Sequence, residues 1–330
     1  MPKTRYAILG FGHHATRRLV PAFARSATSE LTGLWRRNPE AAAADAQAHN
    51  LRAYASADEL CADPAVDAVF ITSPDAMHLD DCKLAFAHGK AVLCEKPLAM
   101  NAGQAAAMQA AAEAAGVLFG VGQNFRFNHS VEYLRQQILA GRIGVPQLAH
   151  AQYAYPGNLA PRKWITDPTL ACGGPIADVG VHCIDTLRYI LSDEVKSISV
   201  LASKDALSGE VEAVATMQLA MRSGVFANVT ATARSPYRTL IEVVGSEGVL
   251  IAENGLTVDR PVDITLRRAG ELIETHTVSN DDGYVRMIEA FTAALHGQGQ
   301  FSPTGADAVI NQRILDAAFR SWHSGLRETI

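Results

Sequence analysis

The chain has 330 residues, 48% hydrophobic and 19% charged, which at roughly 100–200 residues per domain predicts two packed domains and excludes a disordered chain. Its 29 Lys+Arg against 34 Asp+Glu leave a net charge of −5, without the basic face that a nucleic-acid partner needs. No apolar run reaches the roughly 18 residues of a membrane span, and five cysteines (Cys61, Cys82, Cys94, Cys172 and Cys183) without a CxxC pair fit reduced thiols in a cytoplasmic protein.

Met1-Pro2-Lys3-Thr4-Arg5 is followed by no small-residue cleavage site, so no secretion signal is expected. Residues 6–9 read as a buried strand, a turn at Gly10-Phe11-Gly12 follows, and a helix runs to about Ser26. Strand 31–35, helix 39–49, strand 68–72 closed by Ser73-Pro74, helix 78–88, strand 91–94, helix 101–115 and strand 117–121 continue the alternation. Gly89 is placed to end its helix in a left-handed cap, and helix 101–115 ends at Gly116. Strands alternating with helices imply βαβ units and a parallel sheet. Beyond about residue 123 the rhythm changes. A helix at 130–140 precedes β segments at 147–155, 195–203, 211–219, 225–233, 240–244, 248–253 and 262–267, with one helical island at 175–191 and closing helices at 281–296 and 306–323. Short turns such as Arg222-Ser223-Gly224 and Gly245-Ser246-Glu247-Gly248 predict a mostly antiparallel sheet.

Gly10-Phe11-Gly12-His13-His14-Ala15 matches G-x-G-x-x-A between a strand and a helix. The first glycine makes the turn, the second admits a pyrophosphate to the backbone, and the small third residue lets helix and strand pack closely. The fold expected is therefore α/β. Residues 1–122 form an N-terminal Rossmann doubly wound parallel sheet, and residues 123–330 a C-terminal α+β domain with a large, mostly antiparallel open sheet. Catalytic chemistry is expected in the cleft between them. A carboxylate that would hold the adenosine ribose is missing at the end of the second strand, where Trp35-Arg36-Arg37-Asn38 stands instead. Paired arginines suit a 2′-phosphate, so Arg36 and Arg37 predict NADP(H) over NAD(H). Cys94-Glu95-Lys96-Pro97 follows a parallel strand at its ligand-binding end and can present the Lys96 ammonium to a substrate oxygen. Asp178 and His182, four residues apart on a helix, share one face and make a proton-transfer pair. Cys172, His182, Cys183 and Asp185 diverge around that helix, and no metal is expected.

These pieces resemble the Gfo/Idh/MocA (glucose–fructose oxidoreductase/inositol dehydrogenase) family. The resemblance is carried by Gly10-x-Gly12, Thr72-Ser73-Pro74 with His78, residues 89–98 around Glu95-Lys96-Pro97, Asp178-x-Gly180-x-His182-x-x-Asp185, and residues 242–248. Within the family, residues 185–189 and 155–164 are similar to the bacterial 1,5-anhydro-D-fructose reductases. The resemblance implies that Lys96 holds the reacting oxygen, Glu95 fixes Lys96, His182 exchanges the proton, and Asp178 orients both His182 and a substrate hydroxyl. It implies cofactor contacts from Gly10, Phe11, Gly12, His13, His14, Thr72, Ser73, Pro74, His78, Glu95, Lys96, Gln123, Trp164 and Tyr284. It also implies substrate contacts from Lys96, Arg126, Tyr153, Asp178 and His182, with Trp164, Arg126 and Tyr284 closing over the cleft. Asp185 is expected in a structural role. Similar reductases carry Trp-Arg where Trp164-Ile165 stands, so one cofactor contact is either missing or supplied by Arg162.

The function expected is an NADP(H)-dependent reductase of a sugar or related polyhydroxylated carbonyl compound, without nucleic-acid or membrane partners, and a homodimer or homotetramer. The alternatives are an NAD-dependent polyol, inositol or dihydrodiol dehydrogenase, an NAD-assisted glycosidase, and a dinucleotide sensor without catalysis.

Overall fold

A computed structural model describes residues 2–159 and 162–330; Met1, and Ala160 and Pro161 within the 155–164 segment of the sequence reading, lie outside the described residues. Contacts divide the chain into two units. The first is Met1–Gln123, Thr169–Cys172 and Tyr284–Gln312, and the second is Asn124–Pro168, Gly173–Gly283 and Arg313–Ile330.

The first unit carries six parallel strands, β1 (Thr4–Leu9), β2 (Ser29–Trp35), β3 (Arg52–Ala53), β4 (Ala68–Ile71), β5 (Ala91–Cys94) and β6 (Phe119–Val121), ordered β3-β2-β1-β4-β5-β6. All residues of β4 and β5 are buried, as in a sheet covered on both faces. The covering helices are α1 (Val20–Arg25), α2 (Pro39–His49), α3 (Ala57–Ala62), α4 (His78–Ala87) and α5 (Ala102–Ala115). The Asn38 and Asn101 side chains cap α2 and α5 by accepting from the Ala41 and Gln104 amides. The helix expected from the phosphate turn to Ser26 is not uniform. Ala15–Leu19 is a π turn and α1 starts at Val20, because Pro21 has no N–H to continue the ladder. Chain order reverses between β1 and β4, the topological switch point at which open α/β sheets bind ligands.

The second unit contains α6 (His129–Leu139), β7 (Pro146–Pro156), α7 (Val181–Leu191), β8 (Val195–Ser203), β9 (Val214–Met221), β10 (Phe226–Thr232), β11 (Arg234–Gly245), β12 (Val249–Glu253), β13 (Val262–Arg268) and β14 (Glu271–Val278). α8 (Gly283–Leu295), α9 (Gly305–Ser324) and β15 (Glu328–Thr329) follow. Its open nine-stranded sheet runs β14-β13-β12-β11-β7-β10-β9-β8-β15 and is antiparallel except where β10 meets β7. The seven β segments read from the sequence are β7–β13. The two edge strands escaped that reading: β14 is largely exposed and lacks a buried face, and β15 has two residues. Most of α8 groups with the first unit, where Thr292 Oγ1 lies 2.8 Å from Tyr6 Oη and 2.7 Å from Ser29 Oγ.

Candidate functional site

The phosphate turn is built from close backbone approaches. Gly10 has φ +89°, and a Cβ there would lie 2.4 Å from the Ser73 nitrogen, so no side chain fits. Its amide and that of Phe11 both donate to the Trp35 carbonyl, at 2.9 and 3.1 Å, and Thr72 Oγ1 donates to its carbonyl at 3.0 Å. A Cβ at Gly12 would meet only the Gly10 carbonyl, at 3.8 Å, which leaves the cradle open. Ala15 is fully buried at the start of the following helix. An open glycine cradle ahead of a helix N-terminus fits a dinucleotide pyrophosphate. Phe11 is buried in the core and His13 is exposed.

His14 joins this turn to the Lys96 loop. Its Nε2 lies 3.0 Å from Glu95 Oε1, and the Tyr284 ring meets it edge-on at 5.7 Å. Glu95 also accepts the Lys96 amide, at 3.2 Å, and a Cβ on Gly122 would come within 2.9 Å of its carboxylate. Burial works to raise the Glu95 pKa, but His14 and Lys96 outweigh it and hold the carboxyl below the ordinary carboxylate range. Ser73 is buried and its hydroxyl donates to Asp81 at 2.6 Å, while Pro74 is partly exposed beside it. His78 is fully buried at the start of α4. Gln123 is also buried, its amide on the Val121 carbonyl. At the end of β2, Arg37 is exposed, and Arg36 donates to Asp45 of α2 at 2.6 Å, a pairing that the sequence reading did not foresee.

The second unit places Asp178 in a π turn, Ile176–Gly180, and His182 in the first turn of α7; π turns recur at functional positions. The buried Asp178 carboxylate accepts the Tyr155 hydroxyl at 2.7 Å and both terminal nitrogens of Arg162, at 3.1 and 2.9 Å. Burial and the adjacent Asp178 push the Tyr155 hydroxyl pKa far up, so it stays a proton donor to the carboxylate. His182 packs against the rings of Phe125, at 4.5 Å, and Tyr153, at 6.4 Å and nearly parallel. Tyr237 meets Tyr153 edge-on at 5.7 Å, so an aromatic wall fixes the imidazole. Arg126 donates to both oxygens of Asp185, at 2.8 and 2.7 Å, and both residues are buried. Arg188 is 3.8 Å from Asp185 and grips Glu194 instead. Trp164 lies partly buried in a short helical turn, Lys163–Thr166.

Sequence reasoning missed two supports of this half. Arg162 had been considered only for the cofactor, and Glu212 had not been considered. Glu212 is 1% exposed and accepts the Gly174 and Ile176 amides, at 2.9 and 2.6 Å, at the N-terminal end of the segment that carries Asp178. Among the described residues no group of three His, Cys, Asp or Glu side chains is arranged to hold a metal, and no helix is long and apolar enough to cross a membrane.

Residues 4–123 match the model of an oxidoreductase family with an NAD-binding Rossmann fold (GFO_IDH_MocA), and residues 131–251 match the GFO/IDH/MocA C-terminal domain. Over 311 residues, 92% of each chain, the sequence is 32% identical to 1,5-anhydro-D-fructose reductase from Ensifer adhaerens. Over 334 residues, 96% of each chain, it is 29% identical to inositol 2-dehydrogenase from Rhizobium meliloti. The solved aldose-aldose oxidoreductase from Caulobacter crescentus, complexed with glycerol, shares the fold with a TM-score of 0.91 and 23% identity, over 99% of this chain and 100% of that one.

Proposed function

The chain belongs to the GFO/IDH/MocA family of sugar and polyol oxidoreductases, and from that membership we propose that it is an NADP(H)-dependent reductase of a sugar-like carbonyl compound. The observation that carries the reading is the His14–Glu95 pair, which fixes the residue beside Lys96 to the phosphate turn. When bound, the dinucleotide supplies the hydride. Gly10, Gly12 and the helix start at Ala15 would hold its pyrophosphate, with Thr72, Ser73, Pro74, Gln123, Trp164 and Tyr284 as further contacts. Lys96 stabilises negative charge developing on the substrate oxygen. His182 delivers the proton in reduction and removes it in oxidation, since an imidazole titrates near neutral pH. Asp178, held in place by Arg162 and Tyr155, orients a substrate hydroxyl, and Tyr153 lines the same half.

Arg36 and Arg37 support NADP(H), because no acid stands at the end of β2 to accept a ribose hydroxyl. One observation favours the second reading, NAD-dependent polyol or inositol oxidation: Asp45 already occupies Arg36. Fluorescence titration with NADPH and with NADH separates the two. Tighter NADPH binding, followed by turnover of ketoses, anhydro-ketoses or dicarbonyls, is the expected result; tighter NADH binding overturns the NADP(H) assignment. The reading places the protein in the cytoplasm as a homodimer or homotetramer. Leu148, Leu201, Val214 and Phe226 are exposed on one face of the sheet by register, Leu148 beside Phe226 and Leu201 near Val214 at the other end of the strands, and this face is assigned to assembly.

A further inference from the structure

We propose that His78 is an imidazolium that donates from both ring nitrogens, and that this charge ties the Lys96 loop to the Ser73 loop and sets the position of Lys96. The proposal rests on the reading of Lys96 given above. His78 has no exposed surface. Its Nδ1 lies 3.1 Å from the Pro97 carbonyl oxygen and 3.2 Å from that of Leu98, and its Nε2 lies 2.9 Å from that of Ser73. Carbonyl oxygens only accept, and a neutral imidazole has one N–H and one lone pair. Either neutral tautomer would therefore hold a lone pair against an oxygen, at 2.9 Å in one case and against two oxygens in the other. Only the protonated ring satisfies all three.

A buried charge needs compensation. The ionisable groups around the ring are Asp75 in the turn before α4, Asp81 on α4 itself and Cys94 at the end of β5. Burial works against a charge on the ring; Asp75 and the Ser73 carbonyl favour it, and Cys94 adds to them only when its thiol is ionised. Burial pushes the Cys94 thiol well up, so it is un-ionised near neutrality and the three carbonyls carry the argument. The competing arrangement is a neutral ring that accepts the Cys94 S–H at one nitrogen. It leaves the carbonyl oxygen, or the two, that face that nitrogen without a proton.

The bonded loops follow β4 and β5, and the Ser73 backbone presses on Gly10 after β1. One buried cation thus ties the Ser73 loop to the Lys96 loop at the carboxyl ends of two adjacent strands. Charge-assisted bonds are roughly twice as strong as neutral ones, which suits a junction that fixes a reacting group. Without exposed surface, His78 acts on the reaction only through these loops, as a positioning residue.

Long-range ¹H–¹⁵N spectra of the full-length protein, with labelled histidine, test the charge directly. His78 is expected to show two ring N–H groups and two protonated nitrogens at pH about 7 and at about 8.5, two units above an ordinary histidine pKa. A neutral His78 at pH about 7 overturns the proposal, and this measurement on the unaltered chain decides even if substitutions fail to fold. In His78→Gln, which donates from one end only, kcat is expected to fall at least about tenfold with dinucleotide Kd changed less than about threefold. Unchanged kcat, or an equal loss of dinucleotide affinity, overturns the positioning role. Lys96→Met separates the two readings. Turnover in that variant would sink the role of Lys96, while the His78 spectrum would still report the charge of the ring.

Discussion

Arg36 has the guanidinium that a 2′-phosphate would use, and Asp45 already holds it at 2.6 Å. The pair is partly exposed, so releasing it changes affinity modestly, by roughly 0.2–1 kcal/mol. Asp45→Ala is expected to tighten NADPH about two- to fivefold and leave NADH unchanged in the same fluorescence titration; equal shifts for both dinucleotides would show that Arg36 does not meet the phosphate. Glu95 supplies a pH dependence. Its folded-state pKa is depressed, so its contribution to stability is complete above the ordinary carboxylate range and is lost as pH falls through that range to the lower folded value. Thermal melts of the unaltered chain and Glu95→Gln should therefore converge as pH drops from neutral toward about 3, and a gap independent of pH would contradict the pairing. Lys96, Asp178 and His182 can be proposed from the sequence because the chemistry assigned to them rests on short local patterns. The partners of Glu95 and Arg36 are not legible there: His14 meets Glu95 across 81 residues, and Asp45 sits in a helix that reads as an Ala-rich surface.

The segment that opens with Gly173-Gly174 shows how an element holds Asp178 in place. Glu212 takes up two amides at its start, and a Cβ on Gly174 would strike the Glu212 carbonyl at 2.1 Å. Glu212→Ala leaves both amides buried and unpaired, at a cost of about 2–3 kcal/mol. Urea unfolding should show that loss, and kcat should fall with it as Asp178 shifts; a change below about 0.5 kcal/mol would mean that water or another group replaces the carboxylate. Periodicity gave the helix from Pro175, with Pro175 in place before the first turn. It did not give the π turn under Asp178, which depends on packing around Gly180, where an added Cβ would meet the Met217 side chain at 2.9 Å. Most strands were legible from apolar runs and alternation. The parallel pairing of β10 with β7 was not, because it joins strands 80 residues apart in the sequence, as the 3.3 Å pair of His150 and Thr230 illustrates.

The first unit holds the phosphate turn and Lys96, and the second holds Asp178 and His182. A linear reading could not show that Tyr284–Gln312 groups with the first unit, because α8 carries no motif that ties it to β1. The exposed sheet face that carries the adjacent pair Leu148 and Phe226 belongs to the whole molecule. Light scattering is expected to give a dimer or tetramer, and Leu148→Glu with Phe226→Glu is expected to give a monomer with dinucleotide affinity intact; an unchanged mass would place the interface elsewhere. The central claim is hydride transfer assisted by Lys96. Its most direct test is stopped-flow oxidation of NADPH by Lys96→Met, using a carbonyl substrate that the unaltered chain reduces and confirming NADPH binding in parallel. The account predicts binding within about twofold and a fall in kcat of about a thousandfold or more; turnover within about threefold of the unaltered chain would contradict it.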